Sequence, residues 1–295
     1  MEFRSGFVAI AGRPNVGKST LLNTICGEKV AITSSKPQTT RNVIKAFLTN
    51  ERFQMIFLDT PGLHVPKTKL GEFMVKTASD SLKDVDAVVL MIEATDEKPG
   101  SGNLFAIDLL KELKIPVFLV INKIDLIQKD RLLTLITVYK DLYDFKAIIP
   151  VSAFKKQGID DLILALEAEL PIGPKFFPDD TFTDQPEREI AAELIREKIL
   201  ISTNDEVPHG TGVEIMLFKE RPNGMIEIQG TIFCEKDSHK GILIGKNGSM
   251  LKKIGTLARK DLESLLGTKV FLQLWVKVKP DWRNKDTMLK TLGYK

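Results

Sequence analysis

Cysteine is scarce in this sequence. Cys26 and Cys234 are its two thiols among 295 residues, and they lie far apart. Their separation matches no metal-binding spacing. We expect both to be buried or idle thiols in a reducing compartment, which predicts a cytoplasmic protein.

Long hydrophobic stretches are also missing. No apolar run reaches the roughly 18 residues that a membrane-spanning helix needs. Residues 1–6 lead directly into the first apolar run, so we expect no secretory signal. The sequence has no repeats or low-complexity tracts. Its 43% hydrophobic and 27% charged residues are typical of a globular protein, and its length predicts about two domains.

Basic and acidic residues are unevenly distributed along the chain. Residues 236–295 contain 14 Lys and Arg against 5 Asp and Glu, whereas residues 173–235 contain 6 against 13. A basic segment that follows an acidic one favours a polyanionic partner. The alternative is a solvated helix face whose lysines serve solubility.

The first half alternates short apolar runs with longer helical patterns. The runs lie at 7–11, 54–58, 87–92, 115–121 and 147–151. The helical patterns include 103–114, 130–143 and 159–170. This alternation predicts an α/β domain at 1–172, with a mostly parallel sheet and helices on both faces. Residues 173–186 are rich in proline and acidic residues, which predicts a linker.

The pattern changes at residue 187. It predicts helices at 187–202, 238–244 and 249–266, and strands at 212–219, 224–234 and 269–278. The first two strands meet at Asn223-Gly224, a pair that fits a hairpin turn. The resulting α-β-β-α-α-β order predicts an α+β domain at 187–280, followed by a tail at 281–295.

Residues 12–19 carry the most specific motif, Gly-x-x-x-x-Gly-Lys-Ser, between an apolar run and a helical pattern. Backbone N–H groups in such a turn, at a helix N-terminus, bind phosphate oxygens. We expect Lys18 to reach the β- and γ-phosphates and the Ser19 hydroxyl to bind Mg²⁺. The other predicted nucleotide contacts in this loop are Gly12, Arg13, Pro14, Asn15, Val16, Gly17 and Thr20.

Two further segments complete the predicted phosphate and metal site. Asp59-Thr60-Pro61-Gly62 follows the run 54–58, so Asp59 can hold Mg²⁺ through water and the Gly62 N–H can contact the γ-phosphate. Thr39-Thr40-Arg41 lies in the polar stretch 33–42, and we favour Thr40 as a Mg²⁺ ligand. Lys18, Thr40 and Gly62 are the predicted catalytic residues. Both segments also fit ordinary turns.

Two motifs predict the nucleobase. In Asn122-Lys123-Ile124-Asp125, the Asp125 carboxylate can accept hydrogen bonds from guanine N1–H and N2–H₂, whereas adenine lacks that N2 amino group. Lys123 would lie along the base, and Asn122 would tie this loop to 12–19. A backbone N–H of Ser152-Ala153 can donate to guanine O6. The alternative for Asp125 is a helix cap.

The basic segment contains Gly245-Lys246-Asn247-Gly248 between two predicted helices. KH domains use a G-x-x-G loop to clamp single-stranded RNA. Around it we predict further RNA contacts at Ile242, Ile244, Ser249, Lys252, Lys253, Lys279, Trp282 and Arg283. Trp282 can stack on a base or, alternatively, pack against the domain core.

Together these motifs closely resemble the translation-factor-related GTPases, and among them the Era-type GTPases. The resemblance covers essentially the whole chain and rests on GRPNVGKS, KPQTTR, DTPG, NKID, VSA and GKNG. It implies a P-loop GTPase domain followed by a type II KH domain. It further implies that the RNA is the 3′ end of small-subunit (16S) ribosomal RNA, with a role in assembling the small ribosomal subunit. Peripheral contact with the inner membrane face is also implied.

Two positions in the phosphate site bear on hydrolysis. Leu63 stands where small signalling GTPases have the glutamine that orients water, so the resemblance implies slow intrinsic hydrolysis. The resemblance also links Asn15 to K⁺ between the phosphates, where a cation can replace the charge of an arginine finger. The alternative for Asn15 is a loop-stabilising amide. We expect His64 to be a surface residue.

Two other functions remain open. One is a P-loop enzyme with another substrate, which Asn122-Lys123-Ile124-Asp125 opposes. The other is a GTP-regulated scaffold whose KH-like domain binds protein. We expect a monomer that binds GTP, GDP and single-stranded RNA. GTP hydrolysis would reposition segments near 33–42 and 59–80 and so change how RNA is held.

Overall fold

The structure is a computed structural model that describes residues 2–34, 36–96, 98–179 and 181–294. Predicted segments that include Met1, Ser35, Glu97, Asp180 or Lys295 therefore lie partly outside the described residues. The chain divides into two compact units. The first runs to Lys67 and continues from Gly71 to Asp184, and the second comprises Thr68–Leu70 and the residues from Gln185 onward.

The first unit contains a six-stranded sheet. Its strands are β1 (Arg4–Gly12), β2 (Ile44–Thr49), β3 (Phe53–Asp59), β4 (Ala87–Glu93), β5 (Val117–Asn122) and β6 (Ala147–Pro150). They lie in the order β2-β3-β1-β4-β5-β6, and β2 is antiparallel to β3 while the other neighbours are parallel. β3 and β5 are buried throughout, because helices cover both faces.

Among the described residues, five α-helices accompany this sheet. They are α1 (Lys18–Cys26), α2 (Lys69–Asp80), α3 (Ser101–Leu110), α4 (Lys129–Lys140) and α5 (Ile159–Glu169). Alternate residues of β1 enter two separate cores: Val8 and Ile10 pack with α1 and α5, and Ala9 packs with α3 and α4. The predicted mostly parallel sheet with helices on both faces is confirmed.

The predicted linker, residues 173–186, has no helix or strand among its described residues, but it is not detached. The side chain of Gln54 accepts hydrogen bonds from the backbone N–H groups of Phe176 and Phe177, at 2.7 and 3.0 Å. The Phe177 ring stacks on Phe47 with a centroid distance of 4.1 Å. Most of the segment therefore belongs to the first unit, which ends at Asp184.

The second unit has the predicted α-β-β-α-α-β order. Its elements are α6 (Glu187–Ser202), β7 (Gly212–Glu220), β8 (Ile226–Cys234), α7 (Asp237–Ile244), α8 (Ser249–Leu266) and β9 (Val270–Val278), with α9 (Asp286–Thr291) after them. β7 pairs antiparallel with β8, and β8 pairs parallel with β9. Parallel pairing needs a long crossover, which α7 and α8 provide.

Candidate nucleotide site and candidate nucleic-acid interface

The phosphate loop lies between the carboxyl end of β1 and the start of α1. Gly17 has a left-handed φ of 100°, and a Cβ there would lie 2.3 Å from Asn122 Nδ2. Asn122 approaches this closely because its Nδ2 donates to the Val16 carbonyl at 2.8 Å. The second glycine of the motif thus permits a contact between the phosphate loop and the base loop.

Lys18 is buried at the first position of α1. Its Nζ donates to the carbonyls of Gly12 and Arg13, at 3.1 and 3.0 Å. Burial lowers the pKa of Lys18 to about 8, although the neighbouring Asp59 charge opposes this shift. A phosphate group placed beside Nζ would supply the negative charge that stabilises the protonated amine.

Three oxygen-bearing side chains from separate segments meet next to Lys18. Ser19 Oγ donates to Asp59 Oδ2 at 2.7 Å, and Thr40 Oγ1 lies 2.9 Å from Ser19 Oγ and 3.1 Å from Asp59 Oδ2. All three residues are buried. Thr39 instead donates to the Lys36 carbonyl at 2.7 Å. The structure therefore places Thr40, the favoured threonine, beside the other two predicted metal ligands.

Asp59 has spare acceptor capacity within this cluster. Its Oδ1 is buried and has no hydrogen-bond partner among the described residues. Burial raises the pKa of Asp59, whereas Lys18 and the hydroxyls of Ser19 and Thr40 lower it. Carboxylate and hydroxyl oxygens are the donors that Mg²⁺ prefers, so the cluster fits this ion. In the described part of the chain, no group of three or more His, Cys, Asp or Glu side chains could hold a metal.

The rest of the Asp59–Gly62 motif is tied to β1 and the phosphate loop. Thr60 Oγ1 donates to the Ile10 carbonyl at 2.8 Å, and Leu63 N–H donates to the Gly12 carbonyl at 3.1 Å. A Cβ at Gly62 would lie 2.7 Å from Pro14 N, so this approach requires glycine. Leu63 is buried in the core and His64 Nδ1 lies 2.8 Å from the Gly62 carbonyl.

The two predicted base-binding motifs are joined by hydrogen bonds. Asn122 Oδ1 accepts from Ala153 N–H at 3.0 Å, and Ser152 Oγ donates to Asp125 Oδ1 at 2.5 Å. Asp125 is exposed, so its other oxygen is accessible to a ligand. Lys123 has a left-handed φ of 65°, and its Nζ pairs with Glu93 Oε2 at 2.9 Å.

A cavity of about 490 Å³ that is open to solvent lies beside the phosphate loop and the metal cluster. Its lining includes predicted residues from the phosphate loop, the metal cluster and the base loop: Pro14, Asn15, Gly17, Lys18, Ser19, Thr20, Thr40, Gly62 and Lys123. It also includes Phe154, which is 79% exposed and was not predicted. The available signal was its position directly after Ser152-Ala153. Glu93 and Asp96, which contact Lys123 and Arg13, were also missed and carry no local motif.

The Gly245–Gly248 loop connects α7 to α8 through a backbone that needs glycine. Gly245 and Gly248 have φ values of 73° and 78°, and a Cβ at Gly245 would lie 2.8 Å from Met250 N. Lys246 and Asn247 between them are exposed. The loop thus presents a basic and an amide side chain to solvent, with little side-chain bulk around them.

A groove of about 420 Å³ begins at this loop and lies between α8 and β9. Its lining combines apolar side chains with two basic groups, and comprises Gly248, Leu251, Lys252, Gly255, Thr256, Arg259, Leu272 and Leu274. Of these, Gly248 and Lys252 were predicted. Gly255 and Arg259 could have been found from the sequence, because they continue the spacing of Gly248 and Lys252 along one helix face. Ile242, Lys253 and Lys279 are exposed elsewhere on the unit, and Ile244 and Ser249 flank the loop.

Trp282 is the site residue whose predicted role the structure contradicts. Its side chain is 0% exposed, and its Nε1 donates to the Gly210 carbonyl at 2.9 Å. Since its ring is enclosed by the domain, it cannot stack on a nucleobase, and the alternative of core packing is correct. Arg283 pairs with Glu235, with Nη2 2.6 Å from Oε2.

Among the described residues, no helix combines the length and apolar character needed to cross a membrane. Family models match the two units separately. Residues 7–123 match a family described as a 50S ribosome-binding GTPase, and residues 206–283 match the KH domain.

Relatives extend this similarity to the whole chain. The GTPase Era of Ruminiclostridium cellulolyticum is 60% identical over 295 residues, which cover 100% of this chain and 99% of the relative. A crystal structure of Era with MgGDPNP and nucleotides 1506–1542 of 16S ribosomal RNA is 42% identical, with a TM-score of 0.96 over 99% of both chains. A variant of Aquifex aeolicus Era bound to GDP·AlF₄⁻ is also 42% identical, with a TM-score of 0.94 over 99% of both. The chain therefore belongs to the Era family of GTPases and combines a GTP-hydrolysing domain with a KH domain.

Proposed function

We propose that this GTPase binds single-stranded RNA at the 3′ end of small-subunit ribosomal RNA and acts in assembling the small ribosomal subunit. The observation that carries the proposal is the groove between α8 and β9, with Lys252 and Arg259 on one helix face beside the Gly245–Gly248 loop. Basic groups can neutralise RNA phosphates, while the apolar lining can contact bases. The relative that holds nucleotides 1506–1542 of 16S ribosomal RNA supports this choice of RNA.

In the nucleotide site, Ser19, Thr40 and Asp59 would hold Mg²⁺. A bound Mg²⁺ would supply positive charge that neutralises the negative charge developing during phosphoryl transfer. The protein's own groups contribute to nucleotide binding and hydrolysis independently of the ion. Lys18 places its ammonium beside the phosphates, and the Gly62 N–H orients toward the γ-phosphate. Asp125, exposed and held by Ser152, accepts the guanine N1–H and N2–H₂ hydrogen bonds.

Hydrolysis is slow in this proposal, because Leu63 has no polar atom to orient the attacking water and is buried in the core. Asn15 lies in the phosphate loop with a left-handed φ of 68° and lines the nucleotide cavity. We propose that it helps to hold K⁺ against the phosphates, where the ion adds positive charge in the transition state.

The K⁺ proposal predicts faster GTP hydrolysis in KCl than in NaCl at equal ionic strength. The ion would add positive charge next to the phosphates, as an arginine finger does in other GTPases. Steady-state phosphate release measures the rates. An Asn15→Ala variant should lose the difference between the two salts, and equal rates for the unaltered protein in KCl and NaCl would exclude a K⁺ role.

The RNA proposal is tested by crosslinking the full-length protein to RNA in cells and sequencing the bound fragments. We expect fragments from the 3′ end of 16S ribosomal RNA, and their loss when Lys246→Asp and Asn247→Asp are combined. Unchanged crosslinking of that variant would favour the protein-binding scaffold. Binding of ATP in preference to GTP would favour a P-loop enzyme of another kind. Peripheral membrane contact remains a prediction.

A further inference from the structure

Lys123 has a backbone conformation that is unusual for a lysine. It follows the last residue of β5 with φ 65° and ψ 35°, in the left-handed region. A non-glycine residue in this region persists where its surroundings hold it. Its side chain lines the nucleotide cavity, so whatever fixes that side chain also shapes the cavity.

Glu93 is the residue that holds the Lys123 side chain. It is the last residue of β4 and lies opposite Asn122 in the parallel register with β5. Lys123 Nζ lies 2.9 Å from Glu93 Oε2, with side chains 32% and 26% exposed. At this depth, solvent screens the pair less than it would screen a fully exposed one.

Both carboxylate oxygens of Glu93 are engaged. Thr95 Oγ1 donates to Oε1 at 2.5 Å while Lys123 pairs with Oε2. Burial on its own would raise the pKa of Glu93, but Thr95, Lys123 and the nearby Arg13 charge together lower it. The carboxylate is therefore ionised near neutral pH and fixed in orientation.

The same segment also contacts the phosphate loop. Arg13 Nη1 lies 3.2 Å from Asp96 Oδ2, and Asn103 Nδ2 donates to that same oxygen at 3.2 Å. A Cβ at Gly102 would lie 2.9 Å from Arg13 Cγ, so the arginine stem rests on the helix start. The β4–α3 segment, which carries none of the nucleotide motifs, is thus in contact with both nucleotide loops.

We propose that Glu93 is a positioning residue for guanine recognition, which holds Lys123 so that its stem lies along the base. The proposal rests on the proposed role of Lys123 beside guanine. Asp125 supplies the hydrogen bonds that identify the base, and Glu93 acts at a distance by ordering the surface against which the base lies. Without this pair, binding of the nucleotide would have to order a long, mobile side chain.

The first test compares a ligand that has a base with one that has none. For the full-length Glu93→Gln variant, we expect roughly tenfold weaker binding of Mg·GDP and unchanged binding of Mg·tripolyphosphate. In steady-state hydrolysis, KM for GTP should rise while kcat is retained, since a uniform binding contribution is lost. An equal loss for both ligands would show a merely structural role and would overturn the proposal.

A matched control is Glu169→Gln. This change breaks the pair between Lys146 Nζ and Glu169 Oε1, which are 3.0 Å apart, at a partly exposed position in the same unit. It makes the same chemical change as Glu93→Gln and should leave both affinities unaltered. A GDP loss of the same size in this control would attribute the Glu93 effect to general destabilisation and would overturn the proposal.

A double-mutant cycle tests the role of Glu93 and the role of Lys123 separately. Once Lys123→Met has removed the ammonium, Glu93→Gln should weaken GDP binding no further, because the two residues act through one contact. Additive losses would overturn the positioning role of Glu93. If Lys123→Met alone left GDP affinity unchanged, the role of Lys123 beside the base would fail, and with it the further inference. If Lys123→Met weakened GDP binding and Glu93→Gln did not, the positioning role of Glu93 would be wrong while the role of Lys123 would stand.

Discussion

At the residue scale, one amide links three parts of the nucleotide site. Asn122 donates to the Val16 carbonyl and accepts from the Ala153 N–H, at 2.8 and 3.0 Å. Neither a carboxylate nor an apolar side chain can make both bonds, since the site needs one donor and one acceptor. Ser152 donates a hydrogen bond to the neighbouring Asp125, so the orientation of this carboxylate depends on the same group of hydrogen-bonded residues.

Asp125→Asn should change which nucleotide is bound. We expect GTP affinity to fall by about two to four orders of magnitude, because the hydrogen bonds from guanine to the carboxylate are lost and an amide donor faces the guanine donors. The Ser152 hydroxyl would keep the amide oxygen, so the amide NH₂ would face the ligand and donate to the O2 of xanthine. Competition between labelled GTP and XTP measures the change. An exposed Asp141→Asn variant serves as the control, and an unaltered preference for GTP would contradict the assignment of Asp125.

At the scale of elements, α6 to α8 and β7 to β9 of the second unit were predicted almost to the residue, whereas α9 lies in the predicted tail and was not predicted. The bounds predicted for α6 and α8 coincide with those observed, because Pro186 precedes α6 and glycines flank α8. In the first unit, β2 and α2 were not among the predicted elements. β2 is an edge strand whose inward Phe47 is covered by Phe177, a residue distant in sequence. The local pattern of apolar residues does not reveal packing partners that are distant in the sequence.

Prediction of the site residues was likewise limited to features that the local sequence shows. Ser19, Thr40 and Asp59 could be predicted because each follows a recognisable local pattern, and the fold brings the three together. Trp282 was wrongly assigned to RNA because a basic sequence neighbourhood does not reveal that the side chain is enclosed. Glu93 was missed because its importance comes from the register of β4 with β5.

Trp282→Ala should destabilise the second unit rather than remove an RNA contact. Truncating a fully buried tryptophan costs about 3–5 kcal/mol of folding free energy, through lost burial and the cavity left behind. Denaturant unfolding monitored by circular dichroism measures this change. Trp275, the other tryptophan, is 44% exposed on β9, and Trp275→Ala is the matched control with a much smaller effect on stability. Unchanged stability of Trp282→Ala together with lost RNA affinity would restore the stacking role.

At the scale of the whole molecule, charge separates the two functions. Residues 1–172 contain 22 Lys and Arg against 21 Asp and Glu, whereas residues 236–295 contain 14 against 5. The nucleotide site therefore depends on a few individually positioned charges, whereas residues 236–295 of the second unit provide a general attraction for a polyanion.

RNA affinity should depend on the bound nucleotide, with tighter binding of the 16S 3′ segment in the GDPNP state than in the GDP state. Binding at one site usually changes the affinity of a coupled second site by about 5- to 150-fold. Linkage then requires RNA to tighten GDPNP relative to GDP by the same factor, so both arms of the cycle can be measured by fluorescence titration of the full-length protein. The combined Lys246→Asp and Asn247→Asp changes should remove the effect of RNA on nucleotide affinity. Equal RNA affinity in the two states would show that the sites act independently, and hydrolysis would then have no direct means of timing RNA release.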